Sequence, residues 1–223
     1  VDDRVDNVIE DNYMEIQHTG IWASSASGTH IYRNNVIKRL NTYGAHAGQD
    51  HWLIYTSNDM DSLTIVGNDM QQGDISGSGV HVHDNGNVVL EMHDNLIKAE
   101  YYGAYFHKVS MDVHHNLFNI QRDHNADYDV IRIHNENTGD FYNNTIVAKI
   151  NVDDGKYRYG IHTNTYSNPA IVNNIISGFE VGIVADSELS MVANNNIWGN
   201  DLNYSGDGIP ALFGQINTVN ENG

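Results

Sequence analysis

Residues 79–118 read GVHVHDNGNVVLEMHDNLIKAEYYGAYFHKVSMDVHHNLF, and one phrase occurs twice within them. Gly79-Val80-His81-Val82-His83 is followed by Asn95-Leu96-Ile97. Gly103-Ala104-Tyr105-Phe106-His107 is followed by Asn116-Leu117-Phe118. The opening half alternates apolar and polar residues, the period of a strand with one buried face. The closing half sets an asparagine before an apolar pair.

The closing half recurs along the whole chain, at Asn12-Tyr13-Met14, Asn35-Val36-Ile37, Asn68-Asp69-Met70, Asn144-Thr145-Ile146, Asn174-Ile175-Ile176 and Asn196-Ile197-Trp198. The shortest intervals set a coil of about 21–23 residues, within the range of solenoid repeats. Longer intervals, such as Asn35 to Asn68, carry inserted loops. The opening half recurs at Gly20-Ile21-Trp22, Gly44-Ala45-His46, Gly160-Ile161-His162 and Gly182-Ile183-Val184, and Val130 replaces the glycine in one coil. Gly is expected to supply a sharp turn there. One asparagine per coil at a fixed turn can bond to its equivalents above and below, forming a ladder. No segment has the period of an amphipathic helix. The expected fold is therefore all-β, a solenoid of parallel strands in about eight coils with an Asn ladder, and residues 1–223 form a single domain.

Composition narrows the function. The formal net charge is −18, from 29 acidic and 11 basic residues. Nucleic acid and anionic membranes call for a positive field, so neither is an expected partner. No apolar run is long enough to span a bilayer, so no membrane insertion is expected. With no cysteine, disulfides and zinc–thiolate sites are excluded. Acidic loops, Asp153-Asp154-Gly155 and Asp201 to Asp207, admit Ca²⁺ without matching a full calcium-binding loop, and no other cofactor is indicated. Solenoid ends need caps. No capping helix stands ahead of the first coil, and Gly214 to Gly223 reads as an unfinished coil or tail. The expectation is either that the chain is a piece of a larger protein with a neighbouring domain, or that it has an end-to-end partner.

The repeated Asn-Asn-x-Ile … Gly-Ile phrase, together with the run Asn194-Asn195-Asn196-Ile197-Trp198-Gly199-Asn200, resembles the pectate-lyase-like proteins over about the whole chain. The resemblance implies a right-handed parallel β-helix and a secreted or cell-surface location. Members include polysaccharide lyases, hydrolases, epimerases, adhesins and tailspikes, and disaggregatase-type surface proteins are similar in style. The fold carries many functions, so activity must be argued from a site.

Aligning the coils on their opening strand yields two outward columns. The second residue after Gly is Trp22, His46, His81, Tyr105, Arg132, His162 and Val184. The fourth is Ser24, Gly48, His83, His107, His134, Asn164 and Asp186. Residues between them, such as Val82, Phe106 and Ile133, are mostly apolar and point inward. His and Tyr transfer protons, and Arg pairs with a carboxylate. That set suits elimination on an acidic, uronate-containing polysaccharide. Arg132 is expected to grip the uronate carboxylate. Tyr105 or His107 is the candidate base, with His81, His134 or His162 the acid. His83, Lys108, Asn164, Trp22 and His46 are expected to help bind. Epimerisation shares the first step. Hydrolysis would require two opposed carboxylates, for which Asp127, Asp129, Asp84 and Glu136 are candidates. Three alternatives stand beside the enzyme: a stabilising histidine row on an exposed sheet, a transition-metal site whose ligands the sequence leaves unknown, and a non-catalytic adhesin, stalk or carbohydrate-binding solenoid.

Overall fold

In the computed structural model of the chain, the residues described are 6–24, 27–40, 51–57, 59–72, 77–120, 128–148, 157–164 and 166–209. These residues form an all-β structure without helices, built of parallel strands in stacked sheets, an arrangement consistent with a parallel β-solenoid. One sheet contains the short strands Tyr13–Ile16, Val36–Arg39, Asp69–Gln71, Leu96–Ala99, Leu117–Ile120, Thr145–Ala148, Ile175–Ser177 and Asn196–Trp198. The second is wider and divides into two strips joined by two long strands, Ser78–His93 and Ala104–His114. Its first strip adds Ile21–Ser24, Trp52–Ser57, Tyr128–His134, Arg158–Thr163, Val181–Ala185 and Leu202–Ser205. Its other strip adds Asn7–Glu10, Thr29–Arg33, Ser62–Val66, Thr138–Tyr142, Ala170–Val172 and Met191–Ala193.

The core follows from strand alternation. Ile37, Met70, Ile97, Phe118, Ile146, Ile176 and Ile197 are fully buried, one on each successive short strand. Val80, Val82, Ala104, Phe106, Ile131 and Ile133 fill the same interior from the first strip. Each buried aliphatic side chain contributes about 1.5–3 kcal/mol relative to exposure, and neighbours above and below share the benefit.

One turn repeats with unusual regularity. The side-chain amide of Asn12 donates to Asn35 Oδ1 at 3.1 Å. Asn35 donates to Asn68 at 3.1 Å, Asn68 to Asn95 at 2.9 Å, and Asn95 to Asn116 at 2.9 Å. The row continues from Asn116 to Asn144 at 3.0 Å, to Asn174 at 3.2 Å and to Asn195 at 3.0 Å. Each of these oxygens also accepts the backbone N–H of the preceding asparagine. The residue ahead of each one is left-handed: Asp11, Asn34, Gly67, Asp94, His115, Asn143, Asn173 and Asn194 have φ between 53° and 65°. Asn, Asp and Gly tolerate this conformation best, which explains the recurring Asn-Asn and Asp-Asn pairs. The same geometry corrects the last coil: Asn194 is the left-handed residue, so Asn195, not Asn196, joins the row, and Asn196 opens the strand.

The opening glycines have a different reason from the one expected. None of Gly79, Gly103 or Gly160 has a positive φ. A Cβ on Gly79 would lie 2.3 Å from the Gly103 carbonyl oxygen and 2.5 Å from the Ile97 side chain. Small size is required by close approach of neighbouring coils, not by a turn.

Candidate functional site

The outward columns assemble on the first strip. Backbone register aligns Trp22 with Tyr55, Tyr55 with His81, His81 with Tyr105, Tyr105 with Arg132, and Arg132 with His162. Beside them, Ser24 aligns with Ser57, Ser57 with His83, His83 with His107, and His107 with His134. His81 and Arg132 therefore share one face. The place expected for His46 is occupied by Tyr55, and His46 itself lies outside the described residues. Trp52–Ser57 lacks the opening-strand signature because Leu53 stands where most of the other strands carry glycine. Distance along the chain marks it: Ile21, Val80, Ala104, Ile131 and Ile161 lie 12 to 15 residues ahead of the next row asparagine. Ile54 precedes Asn68 by 14 and fits, whereas Ala45 precedes it by 23.

A cavity of about 460 Å³ opens on this column, lined by Trp22, Trp52, Tyr55, His81, Tyr102, Tyr105, Arg132 and Thr19. Its size falls in the range of small-molecule sites. Trp52 and Tyr102 stack with ring centres 5.7 Å apart, and His81 lies flat against Tyr105 at 4.7 Å. Trp52, Tyr55 and Tyr102 were not among the residues singled out from sequence.

Arg132 is held on two sides. Its Nε is 3.6 Å from Asp129 Oδ2, one terminal nitrogen donates to the Tyr102 hydroxyl at 3.4 Å, and the guanidinium lies 5.6 Å from the centre of the Tyr105 ring. Burial works against its charge, but Asp129 together with Tyr102 and Tyr105 outweighs burial and raises its pKa. Tyr105 Oη is 2.8 Å from His134 Nδ1. In the neutral imidazole with its proton on Nε2, the hydroxyl donates to Nδ1. Burial, then the neighbouring Arg132 charge, lowers the pKa of His134, which keeps that acceptor available. Burial also raises the pKa of the Tyr105 hydroxyl, while Arg132 opposes the rise.

His162 sits between two carboxylates, with Nδ1 3.2 Å from Asp129 and Nε2 3.0 Å from Asp186. Burial disfavours its charge, but the hydrogen bonds and charges of Asp129 and Asp186 prevail and raise its pKa. This is the member of the cluster best placed to carry a proton. His81 is the opposite case. Burial, reinforced by His83 and His107, pushes it down to about 3, and neither ring nitrogen has a hydrogen-bond partner. That shift makes His81 a weaker candidate for the acid than His162, and its ring packs against Tyr105. His107 Nε2 accepts from the Asn135 amide at 2.8 Å and its Nδ1 is buried, so its lone pair is already engaged. His83 packs 4.1 Å from His107, and its pKa is lowered by burial and then by His107.

Comparison with family models, curated protein sequences and solved structures finds no match to this chain. The site must be read from its own chemistry.

Lys108 and Asn164 fall beyond the cavity, Lys108 at the turn after the second column and Asn164 at the end of that column beside His134. Lys108 is left-handed, its backbone N–H bonds to Asn135, and its ammonium lies 3.9 Å from Glu136. Asn164 continues past His162, with its backbone N–H on Ile133 and its side-chain oxygen buried. Among the candidate carboxylates, Asp127 lies outside the described residues. Asp84 is buried and accepts from the Asp59 backbone, and Asp129 serves Arg132 and His162. Among the described residues, no group of three or more His, Asp or Glu is arranged to hold a metal ion. The loop at Asp153-Asp154-Gly155 lies outside them.

Proposed function

We propose that this chain is a secreted or cell-surface protein acting on an acidic, uronate-containing polysaccharide by C5 proton abstraction and β-elimination. The observation that carries the proposal is the Tyr105 hydroxyl at 2.8 Å from a histidine acceptor, with an arginine over the same ring. On this reading the chain is a right-handed parallel β-helix of about eight coils with an Asn ladder, in the pectate-lyase-like manner, and Ca²⁺ is a cofactor to test.

The chemistry balances with the residues present. Arg132 pairs with the uronate carboxylate and makes the C5 proton more acidic. As the Tyr105 oxygen takes the proton from C5, its own hydroxyl proton passes to His134 Nδ1, so no free phenolate is formed. The electron pair forms the C4–C5 double bond and the C4–O bond breaks. The leaving oxygen takes a proton from the imidazolium of His134 or of His162. Positioned proton transfer of this kind contributes typically 10²–10⁴-fold.

The test is ultraviolet absorbance of the unsaturated product on a panel of uronate polysaccharides, with and without Ca²⁺. Absorbance is expected with the native chain and is expected to fall at least 100-fold in Arg132→Ala and in Tyr105→Phe, by the magnitude of a lost catalytic proton transfer. Tyr105→Phe keeps the ring and removes only the hydroxyl. A product rate unchanged in Tyr105→Phe sinks the mechanism. Binding of acidic glycans without any unsaturated product rules out elimination; if the bound glycan also shows no C5 inversion and no cleavage, a carbohydrate-binding solenoid replaces the enzyme.

A further inference from the structure

The column that leads to Arg132 is aromatic rather than cationic. Trp22 and Tyr55 pack with ring centres 4.9 Å apart, Tyr55 meets His81 at 4.8 Å, and His81 lies on Tyr105. Beneath them Trp52 is buried and supports both His81 and Tyr102. Trp22, 67% exposed, presents its ring to solvent. Strands stack about 4.8 Å apart, so the four steps from Trp22 to Arg132 span about 19 Å, room for about three to four sugar rings. Among the described residues that line the cavity, Arg132 is the one cation, and it stands at one end.

We infer that this groove takes a heteropolysaccharide with a single uronate among neutral sugars, the uronate on Arg132 and its neighbours on the Tyr55–Trp22 platform. The inference rests on the reading of Arg132 as the uronate site. A chain of uronates would place a carboxylate over Tyr55 and another over Trp22, where no cation among the described lining residues meets it. The overall charge of −18 adds to that cost. Neutral sugars present C–H faces that stack on aromatic rings, while their hydroxyls remain in water. Tyr and Trp suit this division, with an apolar face and a polar edge. His81, with no hydrogen-bond partner on either nitrogen, extends the platform as a neutral ring.

Calorimetric titration tests the assignment with three probes of equal length: an oligosaccharide with one glucuronate in four sugars, an oligogalacturonate and a cello-oligosaccharide. The mixed oligosaccharide is expected to bind at least tenfold tighter than oligogalacturonate. Trp22→Ala and Tyr55→Ala are expected to weaken both the mixed and the neutral probe tenfold or more. Arg132→Ala is expected to weaken the mixed probe and leave the neutral one unchanged. Tighter binding of oligogalacturonate overturns the inference, and so does unchanged binding of all probes in Trp22→Ala and Tyr55→Ala. Loss in the aromatic variants without any loss in Arg132→Ala overturns the uronate site, leaving a groove for neutral glycan. Trp22 is on the surface, so its variant retains the fold. The urea midpoint checks this for Tyr55→Ala.

Discussion

Replacing Asn95 by Ala removes the centre of the asparagine row. The Asn95 amide donates to Ile65 O at 2.8 Å, His93 O at 2.9 Å and Asn116 Oδ1 at 2.9 Å. Its oxygen accepts from the backbone N–H and the side-chain amide of Asn68, both at 2.9 Å. The Asn95 side chain is buried, so water does not replace most of these bonds. The orphaned Asn68 N–H costs about 2 kcal/mol, and the remaining bonds together about 2 more. The expected destabilisation is therefore about 4 kcal/mol. Asn12→Ala is the control. Asn12 makes comparable bonds to Glu10 O and Asn35 Oδ1, but it is exposed at the end of the row. Water restores what is lost there, and the cost stays under about 1 kcal/mol. Urea unfolding followed by tryptophan fluorescence measures both, with the midpoint of Asn95→Ala falling by about 1.5 M. If the two variants lie within about 1 kcal/mol of each other, burial is not what gives the row its strength.

Two further outcomes follow from packing and titration. Gly79→Ala forces a methyl against the Gly103 carbonyl and is expected to cost about 3 kcal/mol; a wild-type urea midpoint would show that the coils can spread. His81 titrates near 6.5 in the unfolded chain and at about 3 when folded. Protons then bind the unfolded state preferentially between those values, so the stability tied to His81 is complete above about pH 6.5 and is lost as pH falls towards 3. His81→Phe removes that loss, because neither ring nitrogen makes a hydrogen bond. The drop in urea midpoint from pH 7.5 to pH 4.5 should be smaller in the variant, and an equal drop would place the acid sensitivity elsewhere.

Much of the architecture was legible because strand alternation and the asparagine turn are both local. Val80-His81-Val82-His83 shows its inward and outward faces without any neighbour. What stayed hidden depended on contacts between coils. Leu53 and Val130 fill places held elsewhere by glycine, since a larger residue fits where its neighbours leave space, and a reading that looked for glycine passed over Trp52–Ser57. Asn194, Asn195 and Asn196 are chemically alike, and only the left-handed φ of Asn194 fixes the register. In the site, the columns predicted that Tyr105, Arg132, His134 and His162 would be neighbours. The opposite pKa shifts of His81 and His162 are not legible in the sequence, because one comes from burial and the other from Asp129 and Asp186.

The left-handed residue before each asparagine also acts as an indexing mark. Between marks the chain takes anywhere from 21 to 33 residues, as from Asn95 to Asn116 or from Asn35 to Asn68, yet each coil returns to the same angular position. Length errors are cancelled every turn instead of accumulating along the axis. Segments at the other corners can therefore lengthen, shorten or be exchanged while Trp22, Tyr55, His81, Tyr105 and Arg132 keep their alignment. The scaffold can vary the walls of its groove without losing count of the floor.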